Sequence, residues 1–441
     1  MSASSSSVTV NDLSWAPHPG RALVKLAWPI TVSMVSFSTM TLASTAFVAS
    51  VGSDELAGVG LLRGAKTLVS QAVGANRRDQ IPALIGAALA LAIVLGVTAL
   101  VLGQLTAPLL VSISASPRAG AFAAEYLTIR SLGAPLVLVY AALREASYGE
   151  GNSTSPMRAS LAANAVNIAL DIVLILGLEW GVTGAAVATI FGNLTELAML
   201  AWPMRARLRR LAITRAAVRA VWAQGMPNGI QFVMEVGSFL ILTLLVAAMS
   251  AVDGAAHQMV LHLVNVSFLP AHALAEATAV LVGQAVGANR DALVAKVAKR
   301  AFVIGAGYAA GCCVAYAILG NMITDAMSSG DPALAARAAV LVHVSLAFLV
   351  ADAANVIARG VLRGASDVRY AAVLGIITAW VFTPPLTWLL GVHFGLGVVG
   401  GWIGLAFEIV VGAALYWRRV YRGGWRPAAA AARRAMAGTA V

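Results

Sequence analysis

Long apolar runs separated by short polar stretches recur from residue 21 to residue 421. A helix needs about 20 such residues to cross about 30 Å of hydrocarbon. On that measure the pattern predicts twelve membrane helices, over residues 21–51, 55–75, 81–112, 118–148, 156–178 and 181–204, then 226–250, 254–287, 291–325, 333–362, 367–392 and 397–421. Residues 1–20 are Ser-rich, without the basic start and apolar core of a signal peptide, and read as a disordered tail. Between the sixth and seventh runs, residues 205–225 alternate Arg205, Arg207, Arg209, Arg210, Arg215 and Arg219 with Leu208, Leu211, Ile213, Val218 and Val221. That is a basic amphipathic linker suited to a lipid surface. Residues 422–441 read as a cytoplasmic tail.

The second half of the pattern copies the first. Gln71-Ala72-Val73-Gly74-Ala75-Asn76 returns unchanged as residues 284–289, 213 positions later. Arg144, Gly149 and Asn152 correspond to Arg359, Gly364 and Asp367 at an offset of 215, and the Gly181–Gly184 turn to Gly397–Gly400 at 216. The chain is therefore expected to form two six-helix lobes, 21–204 and 226–421, related by pseudo-two-fold symmetry. Pro29 and Pro227 read as the openings of spans one and seven, at an offset of only 198. The first lobe is thus short by about fifteen residues, or about 22 Å of helix, ahead of its hexapeptide. The loss falls on span two, whose remainder carries Arg63 and Lys66.

Composition agrees: 60% hydrophobic and 11% charged residues exclude a soluble globular protein of this length. A net charge of +11 points to topology and not to nucleic acid, because the Lys and Arg clusters fall on even-numbered connections and the C-terminal tail. The positive-inside rule then puts both termini in the cytoplasm, as in a bacterial inner-membrane protein. Cys312 and Cys313 are adjacent in a predicted helix and badly placed to bridge each other. The chain has no Gly-x-x-x-x-Gly-Lys nucleotide loop and no Ser/His/Asp or metal constellation, so neither ATP-driven export nor an enzyme is expected.

Ionisable groups at membrane depth are costly, which makes each a functional candidate. The useful ones are Asp171, Glu196, Glu235, Glu276, Asp352 and Glu408. Two carboxylates sharing a low-dielectric site would suit a proton carrier or a sodium chelate. The alternative is a carboxyl hydrogen-bonded to a neighbour such as Asn355 or Asn265, holding the bundle together. Glu276, Glu408, His257 and Asn265 are candidates for a polar cleft wall. His257 and His262 are five residues apart, not the one-turn spacing of a metal pair.

The Gln-Ala-Val-Gly-Ala elements ending spans two and eight, the run from Gly360 to Asp367 after span ten, and Thr45-Ala46-Phe47-Val48 in span one together resemble the multidrug and toxic compound extrusion family over nearly all of residues 21–421. The resemblance implies an all-α secondary antiporter that works as a monomer without a cofactor. It would export small organic compounds, often cationic or amphiphilic, in exchange for protons or sodium ions. It places Glu235 and Asp352 in an acidic cation site of the second lobe. In the first lobe, Asn167, Asp171 and Thr189 match three members of the cation site found in another branch of the family. Where that branch has Asp in span one this chain has Ser44, which carries no charge. A lipid or polysaccharide flippase of the same superfamily and a non-transporting homologue are the competing expectations.

Overall fold

The computed structural model describes residues 13–45, 53–114 and 116–438. The first half comprises α1 (Pro19–Thr45), α2 (Ser53–Gly74), α3 (Ile81–Thr106), α4 (Leu109–Ile113), α5 (Pro117–Ser131), α6 (Ala134–Gly149), α7 (Thr154–Asp171) and α8 (Gly181–Leu208). The second comprises α9 (Arg215–Met249), α10 (Ala251–Gly287), α11 (Asp291–Met327), α12 (Pro332–Leu346), α13 (Leu349–Gly364), α14 (Val368–Leu386), α15 (Val398–Tyr421) and α16 (Arg426–Gly438). Among the described residues, eight helices are long and apolar enough to cross a membrane on their own, and the pairs α5/α6 and α12/α13 each make one more span, bent by 48° and 52°. With α1 and α2 these give the twelve spans of an all-α membrane fold. Leu176 and Ile318 are each 74% exposed on its outside, a disposition that only lipid makes favourable.

Several boundaries differ from the sequence expectation. Of residues 205–225 only 209–214 lie outside helices, because α8 runs on to Leu208 and α9 begins at Arg215. Thr214 caps α9 by accepting the Ala217 N–H at 3.2 Å. Pro227 therefore sits inside α9, and Pro29 inside α1, instead of opening them. The expected tails also have contacts. The Trp15 indole donates to Gln284 at 2.7 Å, and α16 docks through Arg433 on Asp291 (2.9 Å) and through its Met436 carbonyl, which accepts from Gln80 at 3.2 Å. The second tail thus touches both halves.

The repeat is visible in the backbone. The helical bends at 132–133 and 347–348 correspond, as do the π-helical turns ending spans five and eleven (Ile172–Gly177 and Thr387–His393). Asn76 and Asn289, the last residues of the two hexapeptides, both turn left-handed, with φ of 58° and 57°. Gly181 and Gly397 do the same at 53° and 61°. The shortened span is equally plain: α2 has 22 residues and its counterpart α10 has 37.

These two helices cross each other between the lobes. A Cβ on Gly74 would collide with the Gln284 carbonyl, and one on Gly287 with the Gln71 carbonyl. Because 71 matches 284 and 74 matches 287, the contact is reciprocal, as at a two-fold interface. Positions 70 and 283 also correspond, and there Ser70 lies directly against Gly283. Further along α2, Gly60 and Gly64 meet Gly229 and Gly225 of α9. Small residues let backbones approach this closely where no water can drive packing. Cross-lobe hydrogen bonds add to the seal: Gln71 donates to the Gly364 carbonyl at 3.0 Å and to Ser366 at 2.8 Å.

Candidate functional site

Above this crossing lies a cavity of about 220 Å³, walled by α2, α9, α10 and α13. The short α2 supplies Arg63 and Lys66, spaced to share one helix face. Helix α9 supplies Glu235 with Asn228 and Phe232, α10 supplies His272 and Glu276 with Phe268, and α13 supplies Arg359 and Arg363. At about 1.5 Å per residue, Arg63 and Lys66 stand about 12 to 17 Å from the end of α2, well inside the bilayer.

The charged groups interlock. Buried Lys66 faces Glu145 of α6 at 3.1 Å and pairs closely with Glu276 of the other lobe. Arg144 reaches Glu145 from behind at 3.2 Å. Arg63 lies 3.8 Å from Glu276 and 3.2 Å from His272. In the second lobe, Arg359 donates to both oxygens of Glu235 at 2.7 Å, and Gln231 donates to the same carboxylate at 2.8 Å. Among the described residues Arg363 reaches only the Gln231 side-chain oxygen, at 3.3 Å.

The expected acidic pair is divided. Glu235 lines this cavity, whereas Asp352 lines a second one, of about 350 Å³, with Asn265, His262 and Phe239. Among the described residues the Asp352 carboxylate has no hydrogen bond or ion pair, and Asn355 donates instead to the Ile409 carbonyl at 3.1 Å. Glu408 accepts from Thr383. His257 is not on the wall of either cavity. It is buried with its Nδ1 accepting from Trp402 at 3.0 Å, which leaves its proton on Nε2 facing Thr243 at 3.2 Å. That is a satisfied core histidine.

In the first lobe, Asn167, Asp171 and Thr189 do come together. With its amide nitrogen turned towards Asp171, Asn167 donates to that carboxylate at 3.3 Å and accepts the Thr189 N–H at 3.2 Å. Asn164 instead donates to Ser36 at 2.9 Å, and Glu196 lies beside Tyr140 and Ser160. The Ser44 side chain and residues 46–52 lie outside the described part.

The family profile described as MatE matches residues 29–173 and 227–389, one segment in each lobe. The chain belongs to the MatE family. A Pseudomonas putida relative described as a probable multidrug resistance protein NorM is 31% identical over 89% of this chain and 92% of its own length. A relative of the same description from Deinococcus radiodurans is 29% identical, covering 91% of this chain and 95% of itself. Among solved structures, an outward-facing multidrug resistance MATE family transporter superposes with a TM-score of 0.85 at 20% identity, over 93% of this chain and 97% of that one. A MOP superfamily transporter from Pyrococcus furiosus gives the same score and identity over 92% and 97%. These likenesses establish the MatE transporter fold.

Glu145, His272, Arg359 and Arg363 of this MatE chain were not expected at a site. Arg144, Arg359 and Arg363 lie at or within a few residues of predicted span ends and were counted with the basic connections, and Glu145, beside Arg144, was not singled out. The usable signal was Arg63 and Lys66: two cations inside an apolar run require nearby anions, and the acidic residues on neighbouring spans are the only source.

Proposed function

We propose that this MatE protein is a secondary active antiporter that exports small organic compounds in exchange for protons or sodium ions by alternating access. The carrying observation is a charged cavity between two lobes, sealed on one side by the reciprocal α2–α10 crossing. Rocking the lobes apart at that crossing and together beyond the cavity exchanges its exposure between the two membrane faces. The positive-inside reading makes the sealed side the cytoplasmic one, with both termini there and the chain working as a monomer in a bacterial inner membrane. The names of the relatives support multidrug export.

Asp352 is the group best placed to carry the coupling ion, since its carboxylate has no partner to displace, and Glu235 answers to it through Arg359, seven residues along the same helix. Asp171, with Asn167 and Thr189, is a second candidate ion site. The test is efflux from proteoliposomes under separately imposed proton and sodium gradients. Asp352→Asn combined with Glu235→Gln is expected to abolish the gradient dependence. Gradient-driven efflux at the parental rate in that double variant would falsify the coupling assignment.

A further inference from the structure

The wall of the central cavity has more positive charge than its own carboxylates can balance, and several of its donors have no acceptor in reach, although the Asn228 Oδ1 is also buried without a donor. Arg63, Lys66, Arg359 and Arg363 face only Glu235 and Glu276 across it. Glu276 is taken by Lys66 and shared with Arg63, and Glu235 is held at both oxygens by Arg359. Among the described residues Arg363 has no carboxylate partner, only the neutral Gln231 oxygen. The Nε atoms of Arg359 and Arg363 are buried with no acceptor in reach.

His272 adds a third such donor. Arg63 can only donate, so at 3.2 Å the His272 Nε2 accepts from it, with the Glu276 carboxylate farther off at 3.6 Å, and the ring proton sits on Nδ1. Nδ1 is likewise buried without a partner. Three buried N–H groups lacking acceptors around one cavity are costly to leave as they are. Arg359 and Arg363, four residues apart on α13, present theirs from one helix face, and Arg63 stands on the opposite wall. Guanidinium donors in a dry site bind most strongly to carboxylate, sulfonate or phosphate oxygens.

We infer that the cavity takes its cargo by an anionic group, received by Arg63, Arg359, Arg363 and His272, while Phe232, Phe268 and Val356 cover the apolar body. The inference rests on the export reading and reverses the cationic substrate class that the family resemblance implies. In the state described here, the cavity's volume falls below the roughly 300 to 1,000 Å³ of drug-sized pockets, so cargo enters as the lobes part.

A matched pair of dyes tests this. Carboxyfluorescein and a rhodamine ester carry opposite charge on the same xanthene ring. The full chain in detergent is titrated with each by fluorescence anisotropy, and in neutral-lipid proteoliposomes efflux of each is followed under imposed gradients. Carboxyfluorescein is expected to bind and be exported in preference, with Arg363→Gln weakening it by about tenfold or more and Arg363→Lys retaining most of the affinity. Rescue by lysine separates lost charge from lost fold. Export of the rhodamine ester alone, unaltered by Arg363→Gln, overturns the anionic site and leaves antiport standing. Movement of neither dye overturns the export reading, and the anisotropy titration then decides the anionic site by itself. Adding phosphatidylglycerol to the vesicles distinguishes sources: competition assigns the site to a lipid headgroup, and its absence assigns it to a soluble anion.

Discussion

Lys66 holds a carboxylate of each lobe, Glu145 on its own side and Glu276 across the interface, and all three are buried. Removing one partner from such a cluster leaves charge without compensation, at a cost of about 3 to 5 kcal/mol. Lys66→Met is therefore expected to lower the thermal midpoint of the detergent-solubilised protein markedly. Adding Glu276→Gln to it should recover part of the loss, because the carboxylate that Lys66 pairs with most closely is then neutral, Glu145 keeps its Arg144 partner, and Arg63 loses only a contact at 3.8 Å. No recovery would mean that Lys66 stabilises by packing alone. Only part of this cluster was legible in the sequence. Lys66 and Glu276 stood out as ions in apolar runs, but Glu145 adjoins Arg144 near a predicted helix end, where an acid–base neighbour pair reads as solvated. Helix α6 instead turns Glu145 inward onto α2. His257 shows the reverse error: an ionisable residue in a span looked available, and Trp402 and Thr243 already satisfy both of its nitrogens.

The α2–α10 crossing is the element on which alternating access turns, and it can be locked. A side chain at position 283 would place its Cβ 3.1 Å from that of Ser70, a little short of the roughly 3.5 to 4.5 Å between disulfide Cβ atoms, so the helices need only part slightly for the bond to form. With Cys312 and Cys313 replaced by Ala, a Ser70→Cys plus Gly283→Cys pair is expected to cross-link under mild oxidant and stop efflux, and reductant should restore it. Transport that continues after complete cross-linking would place the moving joint elsewhere. Gly74→Val and Gly287→Val should act oppositely, forcing the sealed side apart and raising the labelling of a cysteine placed at Thr67, which the seal now covers. In the sequence the hexapeptide marked the repeat and its register, but not that its glycines meet each other across the lobes. Helix ends were less legible. Pro29 and Pro227 resemble start signals, yet in both spans the polypeptide is already helical for several turns before the proline, since a span can lose one hydrogen bond and continue.

At the scale of the whole molecule, each lobe contains an even number of spans, so the two stand in the same orientation and their axis runs along the membrane normal. Duplicated architecture was readable because its punctuation survived at nearly constant offset. The asymmetry was readable too, as the missing fifteen residues that leave α2 with 22 residues against 37 in α10. What the sequence could not reveal was where the two copies touch. Arg63 and Glu276 occupy the same position of the repeat, 213 residues apart, and they face each other 3.8 Å apart. A position on the axis meets itself, so two identical lobes would set arginine against arginine, or glutamate against glutamate. The pair exists only because the copies have diverged, and it makes them partners of opposite kind. Severed within residues 209–214, the chain should therefore behave as a lock with two different halves: co-expressed, 1–210 and 211–441 are expected to co-purify and restore efflux, whereas neither half pairs with a second copy of itself. Equal recovery of same-half dimers would show that the axis no longer cares which charge it meets.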